Sequence, residues 1–111
     1  MIYDLIVSGK EDRLAVPYEN ATFSYRLQDE RTGARQTALF VLLTDESGAG
    51  ICRETRISDM QSAQPLPPLS PETEYTLEIA ATVTDGAGNK RTYRQKTNFL
   101  TQPDYAALPA K

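Results

Sequence analysis

The sequence predicts an all-β fold, an antiparallel sandwich of about seven short strands. Three features carry that expectation: apolar residues alternate at a period of two, clusters of turn-forming residues recur along the chain, and the intervals between them leave little room for a helix.

A first strand falls near Tyr3 to Val7. In Ala21-Thr-Phe-Ser-Tyr-Arg-Leu-Gln28 the alternation puts Phe23, Tyr25 and Leu27 on one face and Thr22, Ser24 and Arg26 on the other, as in a half-buried strand. After the polar turn Asp29-Glu-Arg-Thr-Gly33, a third strand covers Gln36 to Thr44. Asp45-Glu-Ser-Gly-Ala-Gly50 separates it from a fourth over about Gly50 to Ile57, and a short run near Ser62 to Leu66 meets the proline-rich Pro65-Leu-Pro-Pro68. The same period of two returns in Tyr75, Leu77, Ile79, Ala81 and Val83, interleaved with Thr76, Glu78 and Thr82. Asp85-Gly-Ala-Gly-Asn89 then supplies residues that tolerate positive φ, so a hairpin turn is expected before a last strand over Lys90 to Thr101, with Tyr93, Gln95, Thr97 and Phe99 on one side. Residues 1–101 thus form one domain, and 102–111, where the alternation gives way to Pro and Ala, are expected to be a linker or a truncated end toward a following domain. Strands of this number and spacing in about 100 residues fit an immunoglobulin-like or fibronectin type III-like sandwich.

Composition narrows the function. A chain of 111 residues must commit most of its apolar side chains to one core. Twelve Lys and Arg against fifteen Asp and Glu, with both signs scattered along the sequence, argue against a nucleic-acid partner. With no His and only Cys52, no zinc or iron-sulfur ligand set is available, no internal disulfide can form, and neither serine nor Cys52 has a base to activate it. No catalytic, metal-binding or cofactor-binding residue is therefore expected, and no cofactor; Cys52 reads as a small apolar filler or an edge residue. The chain shows neither a membrane-length apolar run nor a secretion signal, which suggests no membrane partner and a cytoplasmic location.

Leu69-x-Pro71-x-Thr73-x-Tyr75 resembles the segment before the sixth strand of fibronectin type III domains, in which the tyrosine turns the corner between the sheets and its hydroxyl bonds to backbone a few residues upstream. A wider resemblance lies in Ala21-Thr-Phe-Ser-Tyr-Arg-Leu27 followed by Ala34-Arg-Gln-Thr-Ala38. Together with the corner, the Gly-Asn hairpin and the closing Phe99-Leu-Thr101, these blocks look like the N-terminal fibronectin-like domain of bacterial alpha-L-rhamnosidases, over about Asp4 to Thr101. Tyr25 and Tyr93 stand where that family carries Trp, and Ile51-Cys-Arg-Glu54 where it carries a Trp-Asp-Ser-Gly-like stretch. The resemblance implies a non-catalytic accessory domain. The two acidic residues of such enzymes lie in a separate helical barrel, to which nothing in this chain corresponds, so carbohydrate would be met through the parent enzyme. The partners it implies are other domains of the same parent chain. The alternative is a generic fibronectin-like module binding carbohydrate or protein in another multidomain protein, and a sugar platform would have to draw on Tyr3, Tyr18 and Tyr105.

One strand supports docking independently. Thr37-Ala-Leu-Phe-Val-Leu-Leu43 is apolar on both parities, so if Leu39, Val41 and Leu43 face the core, Ala38, Phe40 and Leu42 form an outward stripe, the candidate interdomain contact. A central strand covered by the chain's own loops is the other reading. The remaining polar features read as structural. Asp85 to Asn89 offers too few oxygens for calcium, Asp29-Glu30 and Glu72 with Glu74 read as solvated carboxylates, and Arg31 and Arg35 read as surface charges. Asn20-Ala-Thr22 matches a glycosylation acceptor pattern but is discounted, since no secretion signal is seen and Thr22 sits on a predicted strand.

Overall fold

The computed structural model describes residues 1–7, 16–57, 61 and 64–102. They form seven strands: β1 (Ile2–Val7), β2 (Thr22–Leu27), β3 (Arg35–Asp45), β4 (Gly50–Arg56), β5 (Gln64–Pro65), β6 (Glu74–Thr84) and β7 (Lys90–Leu100). A three-stranded sheet, β1-β2-β5, packs on a four-stranded sheet, β4-β3-β6-β7, and all the strand pairs within them are antiparallel. The chain crosses between sheets at β2 to β3, β4 to β5 and β5 to β6, which places β3 and β6 at the centre of the larger sheet.

The period-two patterns decide what fills the space between the sheets. Phe23 and Tyr25 from β2 meet Leu39, Val41 and Leu43 from β3, Tyr75, Leu77, Ile79, Ala81 and Val83 from β6 and Phe99 from β7, all of them buried. Across the core the Tyr25 hydroxyl donates to Oε1 of the buried Gln36, linking β2 to β3. Desolvation pushes the Tyr25 phenol up to about 12, and the bond to Gln36 opposes this in part.

Four details differ from the sequence reading, each for a physical reason. In β1, Asp4 and Leu5 together oppose Tyr25, a bulge with Asp4 at φ 53°, so the alternation breaks there. β5 shrinks to Gln64–Pro65 because a proline cannot donate to a sheet ladder and three prolines follow Gln64; Ser62 lies outside the described residues. On β7, Thr97 and Phe99 are buried but Gln95 is exposed, since three strands cannot cover the inner face of four. Val16, fully buried, had no periodic neighbours to mark it; it forms a parallel bridge to Thr101.

Two hairpin turns share one construction. In each an aspartate, Asp45 or Asp85, takes two backbone N–H groups on its Oδ1, from Ser47 and Ala49 or from Ala87 and Asn89, and a glycine, Gly48 or Gly88, sits at φ 85°. That is a three-residue hairpin loop with glycine in the left-handed region, where a Cβ would be strained. The proposed linker falls on residues 103–111, outside the described residues, apart from Gln102.

Candidate docking face

The outward surface of the larger sheet is ordered by strand register, because residues directly opposite on neighbouring strands share a face. One row reads Thr55, Phe40, Ala80, Arg94 across β4, β3, β6 and β7; the next reads Arg53, Leu42, Glu78, Lys96. On the other side of Phe40 lie Ala38, Thr82 and Thr92, and beyond them Arg35, Thr84 and Lys90. The structure thus brings Ala38, Phe40 and Leu42 together on the outer side of β3, with Leu39, Val41 and Leu43 facing the core. Phe40 is half-buried, and the Arg53 guanidinium lies 5.9 Å from its ring centroid, a cation–π contact that covers part of the ring. A shallow depression runs over Ala38, Phe40, Ala80 and Thr82 toward Arg53 and Arg94. Its centre is apolar and its margin is threonine and cation, an arrangement suited to a contact surface.

The other polar candidates are tied into the fold. Arg31 is no free surface charge: its side chain is 17% exposed and that of Asp29 is 3% exposed. Its Nε and Nη2 grip the Asp29 carboxylate, Nη1 reaches Asp85 Oδ2 at 3.4 Å, and Nη2 also donates to the Val83 carbonyl. Tyr93 donates its hydroxyl to Asp29 Oδ2 at 2.9 Å. The loop after β2 is thereby bound to the β6–β7 hairpin, and the Gly86 N–H donates to the Thr32 carbonyl at 2.9 Å. The Arg31 guanidinium and backbone N–H hold Asp29 well below the usual carboxylate range, and backbone donors at Asn89 and Ala87 lower Asp85. Sequence reading missed this cluster because Asp29 and Arg31 lie more than fifty residues from Val83, Asp85 and Tyr93; Arg35, by contrast, is exposed.

Tyr75 performs the corner role its motif suggested, accepting the Ser70 N–H at 2.7 Å while its ring packs on Phe99 with centroids 5.5 Å apart. Cys52 is half-buried on edge strand β4, where desolvation and the neighbouring Glu54 raise its thiol. Of the aromatics considered for a sugar platform, Tyr18 packs against the core, Tyr3 is half-buried on β1, and Tyr105 lies outside the described residues.

Comparison with known proteins places this fold. A family model described as "Rha78A-like, N-terminal immunoglobulin domain" matches residues 2–101. Among solved structures, the alpha-L-rhamnosidase of Streptomyces avermitilis complexed with L-rhamnose is similar with a TM-score of 0.64 at 15% identity, over 92% of this chain and 11% of that one. The alpha-L-rhamnosidase of Dictyoglumus thermophilum is similar with a TM-score of 0.67 at 16% identity, over 96% of this chain and 13% of that one. No curated protein matches the chain significantly. At these identities the likeness to the solved structures is one of fold, whereas the family match runs through all seven strands, and the chain belongs to the Rha78A-like N-terminal immunoglobulin domain family.

Proposed function

We propose that this domain is a non-catalytic accessory part of a multidomain alpha-L-rhamnosidase-like glycoside hydrolase, docking on neighbouring domains of the same parent chain through the face centred on Phe40. The observation that carries the reading is the family match over residues 2–101 to an N-terminal domain of such proteins. The short span it covers in two alpha-L-rhamnosidases agrees with it, at 11% and 13% of their length.

The test is hydrolysis of an aryl alpha-L-rhamnoside by the full-length parent protein, with the isolated domain as control. Turnover by the parent and none by the domain is expected. A folded, inactive parent would move the reading to a generic carbohydrate- or protein-binding module. Phe40→Asp adds a charge to the outward side of β3 without entering the core, so the isolated domain should keep its fold while the parent loses thermal stability. Unfolding of the isolated variant would instead make Phe40 a core residue.

A further inference from the structure

The charges of this chain are not distributed evenly once it is folded. The chain carries a formal net charge of -3. Yet the outward positions of the larger sheet hold Arg35, Arg53, Lys90, Arg94 and Lys96 against only Glu74 and Glu78. The cations frame the apolar centre of Phe40, Leu42 and Ala80 on both flanks and at the hairpin end. Pairing on that face is slight: Arg94 forms a long ion pair of 3.9 Å with Glu78 while its side chain stays 68% exposed, and Arg53 lies over the Phe40 ring. Along the sequence the two signs are mixed, and only the strand register sorts them.

We infer that the surface this face receives is a protein surface rich in carboxylates around an apolar spot, which gives the neighbouring domain of the proposed function a definite chemistry. The inference rests on that docking reading. An apolar centre favours a protein over a polyanion, because Phe40 and Leu42 would be covered by nothing in a contact made only of anionic groups, and Glu78 would repel them. Carboxylates set opposite Arg35, Arg94 and the lysines would steer the approach and fix the register of docking, while burial of Phe40 would supply the apolar contact.

Lys90 and Lys96 allow a direct test in the intact parent protein. A zero-length carbodiimide reagent joins an amine only to a carboxylate in contact with it, so both lysines should couple to Asp or Glu residues outside this domain. Raising sodium chloride from about 50 to about 500 mM, which shortens the screening length severalfold, should lower the yield about tenfold, as should Arg94→Glu. Arg26→Glu on the opposite sheet makes the same charge change and should leave the yield unaltered. If an amine-to-amine reagent links these lysines to a neighbouring domain while the carbodiimide does not, docking stands and the acidic surface is overturned. If neither reagent links them, the docking reading itself fails. If the parent instead binds polygalacturonate, loses that binding on Lys96→Glu and yields no carbodiimide link, the face serves a polyanion and the inference is wrong.

Discussion

The Tyr75 hydroxyl accepts the Ser70 N–H at 2.7 Å, and the same side chain is buried against Phe99. Tyr75→Phe keeps the ring and removes only the acceptor, leaving one backbone donor at the inter-sheet crossing without its partner. The expected loss is about 1 kcal/mol of unfolding free energy, read from denaturant melts with an unchanged slope. A loss near zero would mean that water replaces the hydroxyl at no cost, and the corner would then act through its ring alone. This residue was legible in the sequence because its environment is local, five residues from its partner. Arg31 was not, because apart from the nearby Asp29 the groups that define it, Asp85 and the Asn89 and Val83 carbonyls, reach it only after the sheets have formed.

Strands were legible to within a residue or two wherever one face is buried, since burial of every second side chain writes itself into the sequence. β6 carries the clearest alternation and β3, apolar on both parities, the longest apolar run, and these two became the central pair; β5, stripped of donors by proline, and the bulged β1 carry the weakest pattern. The apolar stripe on the outside of β3 was legible too, but the cations around it were not, because their grouping depends on the register of four strands. Between elements, the Asp29–Arg31 clamp makes a prediction about acid. Asp29 has a folded-state pKa held below its unfolded value of about 3.9, so its contribution is present above that value and is lost as pH falls through the folded-state pKa. Thermal melts between about pH 6 and pH 2 should therefore show a falling Tm. Asp29→Asn should begin lower at neutral pH and fall less steeply. Parallel curves for the two proteins would show that the clamp is not the acid-sensitive element.

At the scale of the molecule, ties between the two halves of the sandwich among the described residues include the core with its Tyr25–Gln36 bond, the Arg31 cluster, and Arg56. From edge strand β4, Arg56 donates to Gln64 Oε1 and the Pro65 carbonyl on β5 and lies 5.9 Å from the Phe23 ring centroid. The domain should then open as one unit. Amide exchange is expected to be slowest, and uniform, for Leu39, Val41, Leu77 and Ile79 in the central strands, with β4 exchanging earlier through local fraying. If β4 proved as slow as the centre, Arg56 would be holding its edge far more firmly than a cation–π contact and two hydrogen bonds suggest.

Thr101, buried where β7 ends, gives its hydroxyl to the Ser70 carbonyl and receives the Thr73 N–H. The backbone beside it joins Val16 and Glu72 through Gln102. These bonds reach two separate stretches of chain, one at Val16 and one from Ser70 to Thr73, so a tug on Gln102 along β7 is divided among them and the β6 ladder at once, as when a rope is spliced and not knotted. Force arriving there must shear the whole end of the sandwich before it can peel any single strand away.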